Sequence, residues 1–287
     1  MFARVWERPA MSSDGSNGIS CAESGAVAPD SVVSTEPGEN GADAAVGADG
    51  TSGAGAAAGV ETASTAGRRR VAVFDFDGTS IQGNSPVLLV RYLQQRGMLR
   101  KCVVSRILAW AAAYKLRLPQ NESWVRGLVF TAFEGRPVAE VDQFLYDFYD
   151  EKIDGRFRAV ADEAMRAHAA DGVDPLIVSA TFEPIVRRAM EFHPIAGQVS
   201  TRMKVASDGT YTCEVEGLPV EGSEKICAIK RLCDERYGEG GWELAYAYGD
   251  HHSDSSMLSA AEHAFAVSPD RPLARTARAK GWTILEW

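Results

Sequence analysis

Six side chains of this sequence carry the chemistry: Asp75 and Asp77 in VAVFDFDGT, Ser179 in VSAT, Lys225 behind a glycine-containing turn, and Asp250 with Asp254 in AYGDHHSDSSML. Asp75 and Asp77 end a strand-like run of Val71, Val73, Phe74 and Phe76, and Gly78 with Thr79 opens a tight turn beyond them. A pair of carboxylates closing an apolar strand calls for a counter-cation, either a metal or a lysine, because unpaired buried charge is costly. Ser179 and Asp250 each follow a strand-like run as well, so the polar groups arrive at one edge of a sheet. A hydroxyl, an ammonium and four carboxylates are the parts needed for phosphoryl transfer through a covalent aspartyl intermediate.

The elements that must position these groups alternate. PLIVSA at 175–180, LAYAYGD at 244–250, HAFAV at 263–267 and WTILEW at 282–287 are short apolar runs. Between them lie helical patterns over Pro184–Phe192, Lys225–Tyr237, Asp254–Ala261 and Arg271–Lys280, with Pro184 suited to a first helical turn. The pattern predicts an α/β fold, a Rossmann-like parallel sheet covered on both faces, whose carboxyl edge is where such sheets bind ligands. VSTRMKV and YTCEVEG around Asp208-Gly209 predict a hairpin that interrupts the alternation. Roughly 90 residues separate the first strand from PLIVSA, far more than a plain loop of about 12–15. Their apolar positions recur at helical spacing (Leu88, Leu89, Tyr92, Leu93; Val103, Val104, Ile107, Leu108, Ala111, Tyr114; Val138, Val141, Phe144, Leu145, Phe148, Tyr149), which predicts an inserted helical cap over the catalytic edge.

Residues 1–67 are different in kind. They are rich in Ala, Gly, Ser and Thr without apolar periodicity, and nine acids face only Arg4 and Arg8, which leaves −2 of the formal −9 for residues 68–287. Such a segment reads as a disordered tail. The division is therefore a tail at 1–67 and one domain at 68–287, with the core at 68–82 and 172–287 and the cap at about 83–171. Arg68, Arg69 and Arg70 read as a solvated boundary. The tail lacks the apolar core of a secretory signal and is too acidic for a transit peptide. No run reaches membrane-spanning length. Five scattered cysteines without CxxC spacing fit a reduced, cytoplasmic compartment.

In order, spacing and chemistry, the four segments around Asp75/Asp77, Ser179, Lys225 and Asp250/Asp254 resemble the motifs of the haloacid dehalogenase superfamily, and the resemblance is nearest to its phosphoserine phosphatase-like branch. It spans about residues 70–285. The resemblance implies Asp75 as nucleophile, Asp77 as general acid and base, and Ser179 and Lys225 as phosphate ligands with Thr79 and nearby amides. It also implies Mg2+ held by Asp75, the backbone carbonyl of Asp77, Asp250 and Asp254, in an enzyme that hydrolyses a small phosphorylated substrate. A phosphotransferase or phosphomutase would use the same aspartate, and a non-catalytic module tethered to a membrane or partner is the reading of a different class.

Several residues depart from the commonest pattern. Ser80 follows Asp-Gly-Thr where a hydrophobic residue is usual, and His251 with His252 lie beside Asp250 where small residues are typical. A histidine pair there would suit a transition metal, although the oxygen-rich ligand set favours magnesium, with the histidines lining the pocket or facing solvent. Phosphoserine phosphatases present a glutamate shortly after the first motif, whereas Ser80 to Ser85 reads SIQGNS; Glu134 could take that part from the cap or be a surface or capping residue. Finally, Arg91, Arg96, Arg100, Lys101, Arg106, Lys115, Arg117 and Arg126, interleaved with Trp110, Tyr114 and Trp124, oppose Glu122 alone. That face either docks on an anionic membrane surface or is solvated; nucleic acid is not expected as a partner.

Overall fold

The computed structural model describes residues 67–99, 103, 105, 127 and 129–287. The proposed tail and most of the basic stretch between Arg91 and Arg126, including Arg100, Lys101, Arg106, Lys115, Arg117 and all three of its aromatic residues, lie outside them. The first described element is β1 (Arg69–Phe74), whose first two residues make ion pairs, Arg69 with Asp174 and Arg70 with Glu243 and Glu262. Arg69 and Arg70 are thus engaged rather than simply solvated. Helix α1 (Ser85–Gln95) follows, with the Asn84 side chain accepting from Val87 N at 3.1 Å and Pro86 in the first turn. Next come α2 (Val138–Phe148), which runs on into a π turn over Tyr149–Ile153, and α3 (Ala159–Ala170).

The alternating part is then β2 (Asp174–Phe182), α4 (Glu183–Ala189), β3 (Gly197–Thr201), the two-stranded pair β4 (Met203–Val205) and β5 (Tyr211–Val215), α5 (Glu224–Tyr237), β6 (Trp242–Gly249), α6 (Ser255–Ala260), β7 (His263–Val267), α7 (Arg271–Lys280) and β8 (Thr283–Leu285). Six strands form one parallel sheet in the order β3-β2-β1-β6-β7-β8. The α/β sheet with an inserted set of helices is the architecture that the alternating pattern predicts. Because strand side chains alternate and both faces are covered, Val71 and Val73 join one core with Leu176, Val178, Ile229 and Met257, while Ala72 and Phe74 join the other with Ile177, Met165, Leu89 and Tyr248.

One predicted element is divided. VSTRMKV was expected as a single hairpin strand, but Gly197–Thr201 pairs in parallel with β2, and only Met203–Val205 turns to face β5. Leu176 through Ser179 at the sheet edge need backbone partners, and residues 197–200 supply them. The hairpin proper extends toward the insertion. Gly135 N donates to Tyr211 O (2.9 Å), Tyr211 N to Arg136 O (2.9 Å), and the Tyr211 hydroxyl to Asp142 Oδ1 of α2 (2.7 Å).

Helix α3, the last piece of the insertion, lies against the sheet. His168 is buried there, its Nε2 2.9 Å from the Tyr248 hydroxyl, and burial holds its pKa down at about 4 against 6.5 for an ordinary histidine. The folded state therefore resists a proton that the unfolded chain accepts. This contribution to stability is intact above pH 6.5, shrinks as pH falls toward 4, and amounts to a loss of about 2 kcal/mol by pH 5. Urea midpoints at pH 7 and pH 5 should fall more steeply for the wild type than for His168→Asn. Equal slopes would show that this histidine does not set the acid limb.

Candidate active site

The order of the sheet reverses at β1, which has β2 on one side and β6 on the other, and the crevice at such a reversal is open to ligands. Phe74 pairs with both Ile177 and Tyr248, so Asp75, Ser179 and Asp250 lie within two residues of one level, Asp75 and Asp250 just beyond their strands and Ser179 inside β2 near its carboxyl end. Asp75 N donates to Tyr248 O (2.9 Å), which fixes the start of the turn. Ser80 closes it: its hydroxyl donates to Asp75 O at 2.6 Å and its amide to Phe76 O at 3.0 Å. That bond accounts for a buried polar residue where an apolar one is usual. Gly78 adopts φ +77°, and a Cβ there would stand 2.1 Å from Asp250 Oδ2, so both conformation and space require glycine. Of the amides near Gly78, its own donates to Gly83 O (3.0 Å) and is occupied.

Lys225, on the first turn of α5, donates to Asp75 Oδ1 at 2.7 Å and to Asp254 Oδ1 at 2.6 Å, and all three groups are buried. Burial works against the Lys225 ammonium, but the two carboxylates outweigh it and hold its pKa above the usual value. Asp250 completes the group. One carboxylate oxygen from each of Asp75, Asp250 and Asp254 lies within 4.8 Å of the others. With a single ammonium among three carboxylates the cluster is two charges short of neutrality, so burial, with Asp254 adding to it, lifts Asp250 to about 6, and burial raises Asp75 too. Thr79, buried beside them, directs its hydroxyl at Asp250 Oδ1 over 3.4 Å. Ser179, also buried, accepts from Thr181 N at 3.1 Å.

Asp77 is held apart from this cluster. Its Oδ1 accepts from Ser85 N (2.5 Å), and its Oδ2 accepts from the hydroxyls of Thr181 (2.6 Å) and Ser85 (3.0 Å). Burial raises its pKa although these donors oppose the shift. Sequence reasoning did not single out Ser85 or Thr181, nor Arg158, whose Nη2 donates to Gly78 O at 3.2 Å and brings a positive charge to the same turn.

The histidines stand outside the cluster. His251 and His252 are exposed, and His251 builds the short turn into α6: it accepts from Ser253 N, while Asp254 Oδ2 accepts from its backbone amide at 3.3 Å. Asp254 therefore caps that turn and pairs Lys225 at once. Among the described residues, the carboxylate cluster includes no histidine. Glu134 is exposed and interacts with the Cys213 thiol of β5.

The haloacid dehalogenase-like hydrolase profile matches residues 72–259, from β1 through α6 and across all four clustered segments. The chain belongs to that family. It is 26% identical over 234 residues to a histidinol-phosphatase of Neisseria meningitidis, covering 76% of this chain and 99% of that one. It is also 29% identical over 220 residues to a phosphoserine phosphatase of Mycobacterium tuberculosis, covering 75% and 70% respectively. Among solved structures, a protein of unknown function from Bordetella pertussis superposes with a TM-score of 0.68 at 21% identity, over 77% of this chain and 99% of that one, which establishes the shared fold. This haloacid dehalogenase-like protein is an enzyme of the hydrolase class. No helix among its described residues is long and apolar enough to cross a membrane.

Proposed function

We propose that this hydrolase cleaves a phosphomonoester by way of an aspartyl phosphate on Asp75, with magnesium as its metal. The observation that carries the reading is the convergence of Asp75, Asp250, Asp254 and Lys225 at the carboxyl ends of β1 and β6, with Asp75, Asp254 and Lys225 buried, Asp250 half-buried, and the group short of positive charge. A divalent cation supplies the missing charge. Three hard carboxylate oxygens within 4.8 Å of one another suit magnesium, with the Asp77 carbonyl as a further oxygen, and no imidazole nitrogen enters the set. When bound, that ion neutralises charge between a phosphate dianion and an anionic nucleophile and aligns the two.

The side chains divide the rest of the work. Lys225 holds one oxygen of Asp75 and offers a fixed positive charge to phosphate, and the hydroxyls of Thr79 and Ser179 lie at the same edge as further phosphate donors. A carboxylate oxygen of Asp75 attacks phosphorus and the ester P–O bond breaks. Asp77 gives its proton to the departing oxygen, then takes one from the water that attacks the phosphoryl group, releasing inorganic phosphate and restoring Asp75. The raised pKa of Asp77 suits a group that must start protonated.

The substrate is a small phosphorylated metabolite. The residues after the first motif favour one that does not need a carboxylate partner at that point: Ser80, Asn84 and Ser85 serve the turn, the α1 cap and Asp77. The cap-surface proposal has little support among the described residues, since Arg96 is paired with Glu151 and stacked on Tyr92. Three cysteines without disulfides, Cys213, Cys227 and Cys233, fit a reducing compartment such as the cytoplasm.

Purified chain with magnesium and a panel of phosphate esters, 4-nitrophenyl phosphate included, should release one inorganic phosphate per alcohol. Phosphate recovered on an added acceptor instead of free in solution would establish the transferase reading. No turnover of any ester would sink both.

A further inference from the structure

The geometry assigns Thr181 and Ser85 as the positioning residues of Asp77: two buried hydroxyls and one amide that fix its carboxyl in the orientation needed to protonate the leaving oxygen. The inference rests on the proposed role of Asp77 as general acid and goes beyond it, because it names what aims that acid.

A carboxylate offers about four acceptor positions, two on each oxygen. Ser85 N fills one on Oδ1, and the hydroxyls of Ser85 and Thr181 both lie within hydrogen-bond reach of Oδ2. The two hydroxyl oxygens also lie 2.7 Å apart. With one hydrogen each they make two of these three contacts at a time, so Oδ2 keeps at least one hydroxyl donor and serves as the anchor, while Oδ1 keeps an open position from which a proton can be exchanged. Hydroxyls rotate and can donate or accept, so the pair adjusts to Asp77 without moving a heavy atom. A backbone N–H or an ammonium in their place could only donate.

These donors belong to two different parts of the fold. Ser85 opens α1, the first described helix of the insertion, so Asp77 rests on the first amide of that helix and at its positive end. Thr181 stands near the end of β2, two residues after Ser179, and donates to Asp77 across 104 positions of sequence. Ser85 is fully buried and Thr181 nearly so, at 0% and 2% exposure, where an unpartnered hydroxyl would be costly. The first insertion helix and the strand bearing Ser179 therefore meet on one carboxyl group. A small error in its aim weakens acid catalysis without touching the nucleophile.

The test is the dependence on leaving group. An ester with a good leaving group needs little protonation, and one with a poor leaving group needs a well-aimed acid, so phenyl phosphate and 4-nitrophenyl phosphate separate the two demands. With magnesium present, Thr181→Val should lose kcat/KM on phenyl phosphate at least about tenfold more than on 4-nitrophenyl phosphate, within the 10²–10⁴ range of general acid help. Thr181→Ser should recover both esters to within about threefold of wild type, because it restores the hydroxyl. Ser85→Ala should show the same bias in smaller measure, since its amide donor remains. Equal losses on the two esters, or a Thr181→Ser enzyme no better than Thr181→Val, would overturn the assignment. Should Thr181→Val fail to fold, Ser85→Ala and Thr181→Ser still decide. Asp77→Asn run beside them separates the causes. If it carries the leaving-group bias and Thr181→Val does not, positioning fails while the acid stands; if it carries none, the acid reading fails and this assignment with it.

Discussion

Replacing Asp75 by asparagine is expected to reduce turnover by three orders of magnitude or more, about 4 kcal/mol or more of activation free energy. The amide keeps the shape of the side chain but is not a nucleophile, so the acyl phosphate cannot form. The same change should leave the fold intact or slightly more stable. Asp75 lies in a buried cluster where three carboxylates share one ammonium, and its pKa is raised by burial and by Asp254 and Asp250. Removing one negative charge relieves that crowding, while Lys225 keeps Asp254 at 2.6 Å. Two measurements separate catalysis from folding: steady-state phosphate release, and thermal midpoints in the absence of magnesium. Acid-quenched intact mass adds the third, with a phosphoryl adduct in wild type during turnover and none in Asp75→Asn. Undiminished activity in the variant would end the proposed mechanism.

The second large effect concerns the metal. Chelation should abolish turnover and magnesium should restore it, because the site holds a net deficit of positive charge before a phosphate dianion adds to it. Asp250→Ala should raise the magnesium requirement sharply or eliminate turnover, since it removes one of the three clustered carboxylates. A stability readout accompanies this. An ion that binds only the folded chain raises its stability by about 2.7 kcal/mol at a hundredfold excess over Kd, so magnesium should lift the thermal midpoint of wild type and not that of Asp250→Ala. Without the ion the order should reverse, since the variant has lost a carboxylate whose pKa burial and Asp254 push up to about 6. His251→Ala and His252→Ala should both retain activity with magnesium, as their side chains are exposed and outside the carboxylate group. If zinc alone restored turnover and both histidine variants were inactive, the magnesium assignment would fall.

These expectations began with residue order. The apolar run before Asp75, the runs before Ser179 and Asp250, and the helical stretch holding Lys225 are local patterns, and local patterns record which chain segments can bury their side chains. From them the sheet, its parallel sense and the collection of polar groups at one edge could be read directly. Gly78 was legible as a turn residue for the same reason, since its role depends on its own backbone conformation.

Partnerships across the chain were not legible. Thr181 reaches Asp77 over 104 positions, and Ser85 appeared in the sequence as one more residue of an unremarkable SIQGNS segment. Nothing in spacing alone says that an α1 amide and a β2 hydroxyl meet on the same carboxyl group. The division of VSTRMKV was hidden likewise, because whether residues 197–201 pair with β2 or with β5 depends on which unpaired backbone groups lie beside them after the sheet has formed. The histidines show the converse. Adjacency to Asp250 left a transition-metal site open beside the favoured reading of pocket-lining or solvent-facing rings, and the chain turns so that the Asp254 carboxylate enters the cluster while the His251 and His252 rings stay outside. Sequence determined which groups were present and which elements carried them; tertiary packing decided which atoms touch, because a contact between distant segments depends on the path of everything between them.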